Sequence, residues 1–110
     1  MKTPDACLTK QDIRTEIDRL DGELVRLFAE RQSYVRRMAE LKHHPDEAFD
    51  GTRIESMIAA IRGQAGDLAL DPDQAELVWR TLIDWNIAFE KRVIAERLLK
   101  EAGGKGTPAD

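Results

Sequence analysis

The chain has 110 residues, of which 42% are hydrophobic and 35% charged, with a formal net charge of -4. That describes one soluble helical domain. The acidic balance lacks the electrostatic footprint of a nucleic-acid binder, although it leaves a local basic patch open, and no apolar run reaches the roughly 18 residues of a membrane span.

The single cysteine, Cys7, can close no disulfide within the chain and has no partner for a zinc site. With a charged opening, MKTPDACLTK, this predicts a cytoplasmic protein without a secretory leader. Residues 1–8 are expected as a flexible tail. Thr9 followed by Asp12 resembles a helix N-cap with an acidic third position. Apolar residues then recur at Ile13, Ile17, Leu20, Leu24, Leu27, Phe28, Val35, Met38 and Leu41, with Gly22 the one interior breaker before His43, His44 and Pro45. This predicts a helix of roughly 34 residues, about 50 Å long. A loop from Pro45 to Gly51 leads to a short second helix capped by Asp50 or Thr52, carrying Ile54, Met57, Ile58 and Ile61, and ending near Gly63 or Gly66. Asp71 and Pro72 pair as cap and first-turn proline, and open a medium third helix through Trp79, Leu82, Trp85 and Phe89 to about Leu99. Residues 9–100 therefore read as one all-α domain, with 101–110 expected as a disordered tail.

A helix of about 50 Å overhangs the core of any compact monomer of this length, whose radius of gyration is about 13 Å. An intertwined homodimeric helical bundle is the simplest way to cover it. Charge points the same way. Arg31 shares the apolar stripe of Leu24, Phe28, Val35 and Met38, and Lys42 extends that stripe three turns further, about 16 Å away. Arg14 is too far along a straight helix to join them, but can come from a second, antiparallel chain. In the third helix Glu90 occupies a position on the stripe of Trp79, Ile83, Ile87 and Ile94, and Asn86 does so beside Leu82, Phe89 and Val93. Arg53 flanks the apolar face of the second helix. A buried cation must meet an anion. Glu90 alone, pairing with Arg31 or Lys42, would fix helix register and nothing more. Three or four cations against one carboxylate leave an excess that a small dicarboxylate ligand would neutralise.

The stretch DIRTEIDRLDGELVRLFAERQSYV, with Arg14 and Arg31, followed by Lys42, Asp50 and Arg53, resembles the first helix and loop of the all-helical chorismate mutases and their relatives, the isochorismate-pyruvate lyases of salicylate synthesis. The resemblance covers about residues 9–95 and is most specific in the first 55. It implies a homodimer with two equivalent, cofactor-free pockets, each borrowing Arg14 from the partner chain. Arg31 would hold a substrate carboxylate with Arg14, Lys42 would bridge a carboxylate and the breaking ether oxygen, and Arg53 would complete the polar wall. Ile54 stands where bacterial mutases often place a glutamate, a lyase-like feature; Asp50 matches an aspartate of the mutases. Glu90 stands where glutamine is common. It can donate to the ether oxygen only when protonated, and its neighbours push in both directions.

The function expected on this basis is the rearrangement of chorismate to prephenate for aromatic amino acid synthesis, with isochorismate-pyruvate lyase as the enzymatic rival. A non-catalytic helical dimer that binds a metabolite or a partner protein is the rival of another class. Glu40 and His43 have the spacing of a di-iron motif, but a single copy cannot build that site. No metal is expected. His43, His44, Arg36 and Arg37 are read as solvated, and Trp79 and Trp85 as core.

Overall fold

The computed structural model describes residues 1–105, which hold three α-helices and no strand. Helix α1 spans Lys10–Leu41, α2 spans Gly51–Asp67 and α3 spans Pro72–Lys105. Short 3-10 turns occupy Pro4–Ala6 and Pro45–Ala48, so the segment expected as a loose tail carries a turn of its own. The chain divides into two compact units with a boundary after Tyr34, inside α1.

In the first unit, the start of α1 is set as its sequence predicts. The Thr9 hydroxyl accepts from the Asp12 N–H at 3.0 Å, and the Asp12 carboxylate reaches back to the Leu8 N–H at 3.0 Å. That backbone bond, reinforced by Lys2, holds the Asp12 carboxyl below the usual carboxylate range. The stripe expected to face a core is not covered within one chain. Ile13, Ile17, Leu20, Leu24 and Leu27 are each about half exposed, between 46% and 50%. Arg19 bonds Glu16 and Glu23 on the polar side, i,i+3 and i,i+4 pairs of which Glu16 and Arg19 are half-buried and Glu23 is exposed.

In the second unit, Asp50 caps α2 by accepting the Arg53 N–H at 3.0 Å. The helix ends at Asp67, one residue after Gly66 and so near the second of the two expected stops. It ends in a Schellman motif: the Leu70 N–H donates to the Ala65 carbonyl at 2.8 Å and the Ala69 N–H to the Gly66 carbonyl at 3.2 Å. Ala69 therefore sits at φ 59°, a left-handed conformation that glycine adopts without a Cβ penalty. Ala69→Gly is expected to raise stability by about 0.5–1 kcal/mol, measured by urea denaturation.

Asp71 caps α3, accepting from the Asp73 N–H at 2.9 Å, with Pro72 in the first turn. The helix continues beyond the expected end at Leu99, through Lys105, which makes it 34 residues against 32 for α1. Leu98 to Ala102 are good helix formers, and Arg97 pairs with Glu101 one turn on, so nothing stops the helix there. Residues 106–110 of the expected tail lie outside the described residues. Helices α2 and α3 pack together, with Ile58, Ala65, Ala75 and Ile83 buried on them, and α3 also packs on the Pro45–Ala48 turn; Ile94 further along α3 is fully buried. Arg62 bridges Asp73 and Glu76 at 2.9 Å each, and Arg80 joins Glu76 at 2.6 Å to Glu55 at 3.0 Å. Arg80 and Arg62 hold the Glu76 carboxyl below its ordinary range. These pairs are partly exposed, so they orient α2 on α3 more than they stabilise it.

Candidate active site

Lys42 follows the last turn of α1, its N–H bonded to the Met38 carbonyl at 3.1 Å. Its ammonium lies 3.4 Å and 3.3 Å from the two oxygens of Glu90 on α3. The Glu90 side chain is 9% exposed and that of Lys42 22%. The two anomalies on separate apolar stripes therefore meet. The ammonium thus faces both carboxylate oxygens at once, each at more than the ~2.8 Å of a tight charge-assisted bond.

One turn before Glu90, on the same face of α3, Asn86 is buried, and neither its Oδ1 nor its Nδ2 has a hydrogen-bond partner among the described residues. Leaving such a group unsatisfied costs about 1–3 kcal/mol. Donor and acceptor capacity is thus held inside the protein without a use among the described residues.

The other predicted residues occupy distinct settings. Arg53 is exposed and Ile54 half-buried in the first turn of α2, while one Asp50 oxygen is engaged in capping that helix. In the first unit, Arg14 is exposed. Arg31 is half-buried, with its Nη1 buried and unpartnered among the described residues.

Several features escaped the sequence reading. Arg97 of α3 donates from Nη1 to the carbonyls of Ala39, at 2.8 Å, and Glu40, and from Nη2 to that of Lys42, closing the C-terminal end of α1. Its signal was register: it lies seven residues after Glu90, on the same helix face. After Lys42, the Glu47 carboxylate accepts from the N–H groups of His44 at 2.8 Å and His43 at 2.5 Å, which holds its carboxyl below the usual range. His44 is thus part of a capping box, with its Nδ1 accepting from the Asp46 N–H at 3.1 Å. Arg36, expected as merely solvated, places its guanidinium 5.0 Å from the centroid of the buried Phe89 ring. Trp85 stacks on that ring at 5.6 Å, yet is 58% exposed rather than core.

No group of three metal-ligating side chains occurs among the described residues, and no helix among them is long and apolar enough to cross a membrane. A family model for chorismate mutase type II matches residues 13–91, a span that takes in Arg14, Arg31, Lys42, Asn86 and Glu90. The chain belongs to the chorismate mutase type II family. It is 31% identical over 88 residues to a protein of Pseudomonas aeruginosa named isochorismate pyruvate lyase, covering 80% of this chain and 87% of that one. It is also 34% identical over 83 residues to the T-protein of Haemophilus influenzae, covering 74% of this chain but only 22% of that protein's length. The family is one of enzymes, and a chorismate-type substrate suits the cationic residues that this member carries.

Proposed function

We propose that this member of the family is a chorismate mutase, catalysing the intramolecular Claisen rearrangement of chorismate to prephenate. The observation that carries the reading is the Lys42 ammonium 3.3 Å from a buried Glu90, with an Asn86 amide that has no partner among the described residues one turn of α3 before that carboxylate. The rearrangement breaks one carbon–oxygen bond of an enol ether and forms one carbon–carbon bond in the same molecule, so it needs confinement and charge rather than a nucleophile. Clamping both substrate carboxylates would favour the compact chair-like conformer. Lys42, aimed at the ether oxygen, would stabilise the negative charge that grows there as the bond breaks.

In this reading Arg31 holds one carboxylate together with Arg14 of a second copy, while Arg53 and Asp50 approach from the start of α2. The exposed apolar face of α1 supports the homodimer, because five half-exposed isoleucines and leucines on one helix face are a covered surface in waiting. Asn86 would bond the substrate or its ring hydroxyl.

Glu90 can assist at the ether oxygen only as the neutral acid, donating its proton. Glu90→Gln, an uncharged donor of nearly the same shape, is therefore expected to support prephenate formation at least as well as the wild type. Loss of prephenate formation in a folded Glu90→Gln chain would remove Glu90 from this role.

A second reading, isochorismate-pyruvate lyase, is favoured by Ile54 and by the relative of that name, of which the chain covers 87%. Incubating the purified chain with chorismate and with isochorismate, and following prephenate and salicylate, separates the two. Faster prephenate formation supports the mutase, salicylate without prephenate supports the lyase, and turnover of neither supports the non-catalytic dimer.

A further inference from the structure

We infer that Arg97 is a positioning residue for Lys42: a single face of α3 grips that lysine at both ends, Glu90 at the ammonium and Arg97 at the backbone. The inference rests on the reading of Lys42 as the group that acts at the substrate.

Lys42 stands at a mechanically weak place. The last four carbonyls of a helix have no intrahelical partner, so the end of α1 is where fraying begins. A lysine is also a point charge on a flexible four-carbon stem, so movement of its Cα passes directly to the ammonium. On the amide side Lys42 is fixed by its bond to the Met38 carbonyl. On the carbonyl side the Arg97 guanidinium donates to Lys42 itself and to the Ala39 and Glu40 carbonyls of the preceding turn. A planar fork can collect several carbonyls at once, and its positive charge suits the negative end of the helix dipole.

Seven residues separate Glu90 from Arg97, which is two turns of α3 with about 20° of residual rotation and about 10.5 Å of rise. Ile94, fully buried, lies between them and anchors the stretch. The spacing of the two grips is therefore set by one rigid helix, and any displacement of the end of α1 relative to α3 must break one of them. Glu101 lies 3.5 Å from the Arg97 Nε on the next turn, an ion pair that leaves this buried Nε without a hydrogen bond among the described residues, so the grip on α1 rests on Nη1 and Nη2.

The test compares Arg97→Met and Arg97→Lys with the wild type, in the presence and absence of Lys42→Ala. Arg97→Met is expected to lower kcat roughly tenfold to a hundredfold at a KM within about twofold of wild type, because a misplaced ammonium weakens the transition state more than the ground state. Arg97→Lys should recover part of the loss. In the Lys42→Ala background, Arg97→Met should cost little more, since no ammonium is left to misplace. A role confined to stability predicts the opposite pattern: a lower thermal midpoint, unchanged kcat per folded chain and an equal loss in both backgrounds. That pattern overturns the inference.

A readout independent of turnover is the ¹⁵N NMR signal of the Lys42 ammonium, assigned by its absence from Lys42→Ala. In the wild type it should be slowed in exchange by Glu90, and in Arg97→Met it should move to the position of a free lysine. An unchanged signal overturns the inference. If the wild-type chain converts neither substrate, the functional reading fails, and the NMR comparison still decides Arg97. Should Arg97→Met not fold, Arg97→Lys supports the same comparisons.

Discussion

Lys42→Ala is expected to lower turnover about a hundredfold or more, about 3 kcal/mol in the barrier, by analogy with removing one donor from an oxyanion hole. The ammonium is the one cation found against the buried carboxylate of α3, and no other side chain of the second unit reaches Glu90 with a positive charge among the described residues. Its loss acts on two levels. The transition state loses the charge placed at the ether oxygen, and Glu90 loses its ion-pair partner while remaining buried. These effects separate in the double variant Lys42→Ala/Glu90→Gln, in which the stranded carboxylate is gone. Stability by thermal denaturation should return towards wild type, whereas turnover should not. Arg31→Ala should abolish activity in the same way with the fold retained. If Lys42→Ala changed only stability or partner binding and left chorismate conversion at its wild-type level, the chain would be a binding protein and not an enzyme acting through this lysine.

Mixing two inactive variants should restore activity if Arg14 is borrowed across subunits. A chain with Arg14→Ala keeps its own Lys42, and a chain with Lys42→Ala keeps its own Arg14. In a mixed dimer with crossed pockets, one pocket contains both substitutions and the other contains neither. Random exchange of equal amounts should then give about a quarter of wild-type activity, because half the dimers are mixed and each has one intact pocket. Pockets built from one chain alone would each retain one lesion, and the mixture would stay inactive. The measurement needs only unfolding and co-refolding of the two proteins, followed by the prephenate assay. It also tests the dimer itself, whose formation would cover the half-exposed Ile13, Ile17, Leu20, Leu24 and Leu27 of α1.

Much of the fold was legible because its signals are local. Thr9, Asp50 and Asp71 each accept a backbone N–H two or three residues ahead, so the three helix starts are written in short stretches of sequence. Lys42 and Glu90 were legible for a different reason: each interrupts an apolar stripe, and periodicity exposes such an interruption without any knowledge of the partner. Helix ends were harder to read. The end of α2 falls at Asp67, near Gly66 as expected, but the left-handed residue that closes it is Ala69, where the Schellman bonds outweigh the cost to an alanine, and α3 passes Leu99 because no residue there opposes helix.

Composition and periodicity by themselves determined an all-helical chain with a surplus of cations set on apolar faces, since both follow from residues within a turn or two of each other. Only the tertiary structure decided that Glu90 meets Lys42 across 48 positions, that Asn86 is buried with its amide unpaired among the described residues, and that Arg97 closes the end of α1. The physical reason is one of range. A cap or a stripe is fixed by neighbouring backbone geometry, whereas the choice of partner for a buried charge depends on which distant helix arrives beside it, and several carboxylates and guanidinia in this chain had the right chemistry to be chosen.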